Sequence, residues 1–201
     1  MGFQTIIDNA SNIKIDNRGM TATTTTRGGY TRAVSRGGQP WIFEIEFPSG
    51  PDWRDYRRLV ADIMDNQRHT AQKIYFNSAG HEWIFGYQGN YGGTFSVAFT
   101  KGQRTLTLQQ SATSGYNFRI GDIIQLGANG LVYQVVEDVP YTQTSVKLHR
   151  PIVEDSSTGV NTLKGQQCGF NVYCTSLPRF NMFEINQFGF DGPFVFTETY
   201  D

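Results

Sequence analysis

Residues 41–66 run WIFEIEFPSGPDWRDYRRLVADIMDN, and the fold class turns on how their spacing changes midway. Trp41, Phe43, Ile45 and Phe47 alternate with Ile42, Glu44 and Glu46. A period of two is what a strand shows when one face of its sheet packs on a core. Pro48-Ser49-Gly50-Pro51 stops the strand, and Pro51 suits a helix start, where its missing N–H would have no partner anyway. From Asp52 to Asn66, Trp53, Tyr56, Leu59, Val60, Ile63 and Met64 recur at spacings of three and four, with Arg54, Asp55, Arg58, Asp62 and Asp65 on other faces. The expectation is a sheet with this one good helix lying across it. Arg58 and Asp62 form an i,i+4 pair of a solvated face, worth a few tenths of a kcal/mol, and not a carboxylate site.

Working outward, further strands are expected at Lys73–Asn77, Glu82–Tyr87 and Thr94–Thr100, with the glycine-rich loop 86–93 as a hairpin connection. That loop lacks both the Gly-x-Gly-x-x-Gly spacing and the following helix that a phosphate cradle needs. From Lys101 the chain changes to short strands, at Thr105–Gln109, Ile120–Leu126, Leu131–Val139 and Ser145–Arg150, a pattern that suits a small barrel. A polar stretch from Glu154 to Gly165 follows, and strands resume at Gln167–Thr175, around Met182–Asn186 and at Phe194–Thr199. On the N-terminal side the first forty residues are polar and Thr-rich, and Gly19 to Gly38 suggest a projecting two-stranded arm. The predicted architecture is mainly β (α+β): a split β-sheet domain, 1–101 and 166–201, with one helix packed on it, and an inserted small OB-like β-barrel, 102–165.

Composition agrees with this. Gly 22, Pro 7, Phe 15, Tyr 10 and Trp 3 among 201 residues favour strands and turns over an all-helical chain. Charged residues are only 17 %, against about 25 % in an ordinary soluble domain, which marks some of the surface for cover by other subunits. The net charge of −1 argues against general attraction to nucleic acid or anionic membrane. Its distribution is uneven: residues 1–40 carry Lys14, Arg18, Arg27, Arg32 and Arg36 against Asp8 and Asp16, whereas 181–201 carry Glu184, Asp191, Glu198 and Asp201 and no base. Ends of opposite sign suit either solvated tails or a head-to-tail assembly. The longest uninterrupted apolar run is far short of the ~20 residues that span a bilayer, and MGFQTIIDNA lacks a basic-then-apolar leader, so synthesis in the cytosol is expected. Cys168 and Cys174, six apart in a strand-like run, would stand roughly 20 Å from each other, too far for a disulfide.

Catalytic, cofactor and metal constellations are not found. His69, His81 and His149 stand in separate segments, no Gly-x-Ser-x-Gly elbow follows a strand, and Asp122 in Ile120-Gly121-Asp122 suits a turn or strand entry better than a catalytic base. A barrel of the oligonucleotide/oligosaccharide-binding type raises nucleic-acid binding, with Tyr116, Phe118, Tyr133 and Tyr141 as stacking surfaces. The block 102–165 holds Arg104, Arg119, Lys147, Arg150 and Lys164 against Asp122, Glu137, Asp138, Glu154 and Asp155, so the electrostatic funnel is missing. Carbohydrate or protein contact fits better.

The run Tyr116 to Gly127 (YNFRIGDIIQLG), continued by Gly130 to Val139 (GLVYQVVEDV) and by Val146 to Pro151 (VKLHRP), resembles the barrel segment of tail proteins from long-tailed, non-contractile bacteriophages. The order of strand, helix and strand around it is similar to that of their distal tail proteins over most of the chain. That resemblance implies a structural virion protein without enzymatic activity, whose split domain closes a homo-oligomeric ring, usually a hexamer. Such a ring continues the tail tube at the distal end and joins it to the tail tip or baseplate hub. The implied partners are further copies of itself, the tail tube protein, the hub and the tape measure protein, with assembly in the host cytoplasm. Arg27, Arg32 and Arg36 on one side and Glu184, Asp191 and Glu198 on the other are the candidate intersubunit contacts. The alternative is a carbohydrate-binding module touching the host surface through exposed barrel aromatics, Tyr116 and Tyr141; roughly sixty inserted residues are few beside the large adhesion modules of some relatives.

Overall fold

The computed structural model describes residues 2–19, 21–25, 27–35, 39–66, 70–78 and 80–200, the side chains of 21–24, 31–35, 62 and 64–66 excepted. In chain order they form α1 (Phe3–Asp8), β1 (Asn12–Asp16), β2 (Thr21–Thr25), β3 (Thr31–Ser35), β4 (Ile42–Glu46), α2 (Trp53–Asn66), β5 (Gln72–Tyr75), β6 (Ser96–Phe99), β7 (Thr105–Leu108) and β8 (Tyr116–Phe118). Then come β9 (Ile123–Leu126), β10 (Val132–Gln134), β11 (Val139–Pro140), β12 (Ser145–Lys147), β13 (Ser157–Lys164), a 3-10 turn (Gly165–Gln167), β14 (Gly169–Ser176), β15 (Arg179–Glu184), β16 (Gln187–Asp191) and β17 (Phe194–Glu198). With 41 % strand and 11 % helix the chain is mainly β, in curled antiparallel sheets. It divides into two units, 1–72 with 172–199, and 73–171 with Tyr200.

The first unit is built on antiparallel strands in the order β1-β4-β17-β14. The alternation of 41–47 is realised: Trp41, Phe43, Ile45 and Phe47 are buried, and Ile42, Glu44 and Glu46 are half-exposed. Phe194 and Phe196 of β17 extend the same face, their rings stacked 6.3 Å apart. α2 buries Leu59, Val60 and Ile63, and its Tyr56 meets Phe47 edge-on at 5.3 Å. Its first turn is capped by Asp52, whose Oδ1 accepts from the Arg54 N–H at 2.9 Å. The N-terminal segment holds more structure than its polarity suggested. α1 buries Phe3, Ile6 and Ile7, with Phe3 4.9 Å from Phe196, and β1 pairs along the whole of β4. Six residues between polar neighbours give too short a periodicity to stand out as a helix.

The second unit is a six-stranded antiparallel sheet, β10-β9-β13-β6-β7-β12, curled into a half-barrel, beside the β8–β11 pair. Its core gathers Phe95, Val97, Phe118, Tyr133, Val135 and Leu148 with other apolar side chains. The expected insertion 102–165 lies inside this unit, which also takes in 73–101 and 166–171. The reason is that β6 is hydrogen-bonded between β13 and β7, and Phe95, Val97 and Phe99 belong to the same core as the barrel strands. The curl carries one edge strand back towards the other: Val135 bridges Leu148, Val136 N–H donates to Lys147 O at 3.1 Å, and His149 N–H donates to Gln134 O at 2.9 Å.

Three expected elements differ. Residues 81–85 are successive turns and 86–87 are irregular, with His81 and Glu82 N–H both donating to Ser78 O, so the loop 86–93 does not connect a hairpin. The polar stretch 154–165 contains β13, a central strand; hydrogen bonds to β6 on one edge and β9 on the other hold it without an apolar face, and only its Thr162 is buried. The strand expected around Met182–Asn186 is one arm of the β15–β16 hairpin.

Gln125, wholly buried, donates from Nε2 to Gly130 O at 2.7 Å and Gly169 O at 3.0 Å and accepts from the Gly169 N–H at 2.9 Å. Gln125→Leu strands these backbone groups and is expected to destabilise the protein by about 2–3 kcal/mol in urea unfolding, with the slope unchanged.

Candidate functional site

The first unit carries two projections. The arm β2–β3 is an antiparallel hairpin in register Thr21↔Ser35 to Thr25↔Thr31. It leaves the sheet after β1, at the end where Asp16 pairs with Ile42. The β15–β16 hairpin leaves after β14 and returns into β17 at the other end, where Ser176 pairs with Val195 and Phe194 with Ile45. Antiparallel order thus sends the two out of opposite ends of one sheet.

The arm turns at Arg27–Tyr30 with Gly29 at φ 79, a left-handed value that favours glycine; Arg27 is exposed and Tyr30 is 77 % exposed. Arg32 lies in β3 with its side chain outside the described residues, and Arg36 lies outside them altogether. Other bases of this end are matched within the chain. Lys14 Nζ is 3.0 Å from Glu46 and 4.0 Å from Glu44, and Arg18 pairs with Asp16 at 2.7 Å, which holds the Asp16 carboxyl down to about 2.

On the acidic side the candidates separate. Glu184 is exposed near the hairpin tip and Asp191 is exposed at its base, opposite Arg179. Glu198 is a correction: it is buried, its Oε2 accepts from the Trp41 N–H at 3.2 Å, and its own N–H donates to Trp41 O. That carboxylate fastens β17 to the start of β4 and does not face a neighbour. Composition did not single out the tip itself, where Met182, Phe183 and Ile185 are exposed beside Glu184. The available signal was three apolar residues around a turn without glycine or proline.

In the second unit, β8–β11 pairing sets Tyr116 opposite Pro140, and Tyr141, in the turn directly after β11, donates its N–H to Gly115 O at 3.0 Å. The Arg119 guanidinium lies 3.6 Å over the Tyr116 ring and pairs with Asp138 at 3.0 Å; Tyr141 is 45 % exposed. Phe118 and Tyr133 are core residues, which removes them as stacking surfaces. Asp122 acts as a turn residue: its carboxylate accepts from the Arg119 N–H at 2.8 Å and the Gln88 N–H at 2.9 Å, while burial raises its pKa. Nearby, Tyr87, Lys164, Gln166 and Gln167 line an open groove of about 370 Å³. Lys164 Nζ sits 4.1 Å over the Tyr87 ring and donates to Tyr91 O, and burial lowers its pKa. Trp83, which the sequence reasoning passed over, is exposed and held by its indole N–H on Gly80 O at 2.8 Å.

Among the described residues no three His, Cys, Asp or Glu side chains gather as a metal centre requires. Cys168 and Cys174 are both buried thiols outside any disulfide, and desolvation pushes the Cys168 thiol up. His69 lies outside the described residues, and His81 belongs to the turns after Ser78.

His149 sits where the two sheet edges meet, with Nδ1 accepting from the Gln134 N–H at 2.9 Å. Burial, reinforced by Arg150 and Arg104, depresses its pKa to about 3. The neutral ring is the folded form, so the unfolded chain takes up a proton first as pH falls. Stability present above about pH 6.5 is therefore lost on the way down to pH 3, by about 2 kcal/mol at pH 5. Thermal unfolding at pH 7 and pH 5 should show this loss, and His149→Gln should show less of it. The sequence matches no protein-family model and no curated protein.

Proposed function

We propose that this chain is a structural virion protein at the distal end of a bacteriophage tail, where copies of its first unit form a closed ring, usually hexameric in the proteins it resembles. The observation that supports this most is the pair of hairpins leaving opposite ends of one sheet, a basic arm at one end and, at the other, a hairpin that carries Glu184 near its tip and Asp191 opposite Arg179 at its base. A surface whose complement lies on the opposite end of the same molecule associates head to tail, and such contacts close into rings when the rotation between copies allows it. Electrostatic complementarity of this kind selects orientation and speeds encounter more than it adds affinity. The ring would continue the tail tube and meet the tip or baseplate hub, with the tape measure protein within reach of its channel, and the second unit, an OB-like module in this proposal, would project outward. The role is scaffolding, not catalysis, carried out in the virion after assembly in the host cytoplasm.

Native mass spectrometry of the purified chain, alone and with its tail partners, is expected to give a ring-sized oligomer, and gold-labelled antibody to decorate the distal tail. A strict monomer that never enters tails overturns the proposal.

The Tyr116 ring beside the Arg119–Asp138 pair favours a second possibility, that the second unit touches host-surface carbohydrate. An aromatic face beside a guanidinium–carboxylate pair offers stacking and directed hydrogen bonds together. Glycan-array binding that falls about tenfold or more in Tyr116→Ala would support it. Wild-type protein that binds no glycan removes it.

A further inference from the structure

We infer, on top of that ring assembly, that the tip of the β15–β16 hairpin is the apolar plug by which one copy grips the basic arm of the next. Ile185 is 93 % exposed and Phe183 51 % exposed, with Met182 exposed beside them. A hairpin turn ordinarily carries polar residues, and here only Asn186, at φ 65, serves the turn geometry. Ile185 contributes nothing to the turn that a polar residue would not. Clustered apolar side chains held in water mark a contact surface.

The tip is also stiff. The Asn186 carbonyl accepts from the Trp53 N–H at 2.6 Å at the start of α2, and the Phe188 carbonyl accepts from the Gly50 N–H at 3.0 Å. Phe180 stacks on Trp53 at 5.6 Å, and Phe188 and Phe190 pack on Phe47 at 6.1 and 5.6 Å. One face of the hairpin is thereby fastened to its own unit while the tip stays out, so docking costs little ordering entropy. The chain's own arm is badly placed to cover it, because hairpin and arm leave opposite ends of strands roughly 16 Å long.

Charge names the occupant. Glu184 lies within the tip, and the segment 19–40 holds Arg27, Arg32 and Arg36 with no acid. At the arm's turn, exposed Arg27 and Tyr30 offer a cation and an aromatic ring together. Against a second copy, Phe183 and Ile185 cover the Tyr30 ring and the apolar stem of Arg27, while Glu184 meets the guanidinium. The contact is heterologous, tip to arm, as a ring of like subunits requires.

Full-length Tyr30→Cys protein mixed with full-length Ile185→Cys protein under mild oxidation is expected to give a disulfide-linked pair, with little in either sample alone. The natural cysteines are buried and stay silent. No pair in the mixture, or a pair in the Ile185→Cys sample alone, overturns the inference. In sedimentation, Ile185→Asp is expected to weaken self-association about tenfold or more. Glu184→Arg should weaken it too and recover on mixing with Arg27→Glu. An Ile185→Asp chain that associates like wild type overturns the tip contact and leaves the ring standing, whereas a wild-type chain that is monomeric and absent from tails overturns the ring.

Discussion

The pairing of β4 with β17 is the constraint on which the rest depends. It joins a strand near residue 45 to one near residue 195, in register Phe194↔Ile45 to Thr197↔Ile42, and buries Phe43, Phe194 and Phe196 on one face. Closing so long a loop costs entropy that grows only slowly with length, and burial of large aromatic side chains offsets it. The buried Glu198 completes the closure by accepting from the Trp41 backbone N–H, a charge-assisted bond inside the protein. Once β17 lies beside β4, β1 and β14 have only the outer edges left. The arm and the hairpin are then committed to opposite ends.

The same closure makes the second unit an insertion between Gln72 and Val172, and that unit is organised to be self-sufficient. Three of its buried polar side chains are matched within it: Asn117 by Ala112, Pro140 and Gln143, Gln125 by Gly130 and Gly169, and Asp122 by Arg119 and Gln88. Networks of this kind specify one arrangement because a partly made one is costly. A unit with its own core and its own polar bookkeeping can be carried by a ring-forming scaffold without disturbing it, which is the division of labour that the proposed function needs.

How much was legible in the sequence follows from what each element depends on. β4 and α2 showed themselves because each buries one face through a local periodicity, two for Trp41–Phe47 and 3.6 for Trp53–Ile63. β13 did not, since its place comes from hydrogen bonds on both edges and Ser157–Lys164 has no apolar face to reveal it. Residues 82–87 misled for the complementary reason: Trp83, Ile84 and Phe85 look like a strand, yet the backbone closes turns onto Ser78. Among the candidate contacts, sign of charge was readable and accessibility was not. Glu184 and Glu198 are alike in sequence, and one ends exposed while the other is buried against Trp41.

By itself the sequence determined a β-dominated chain with one amphipathic helix, low charge and ends of opposite sign, because composition and local spacing decide those properties. Only the tertiary structure decided that the barrel-like unit begins at 73, that Tyr116 comes to lie opposite Pro140, and that an apolar tip at 182–185 stands clear of the core. Each of these depends on which strand edges meet across long stretches of chain. Backbone hydrogen bonds set that pairing, and they are the same for every residue type but proline.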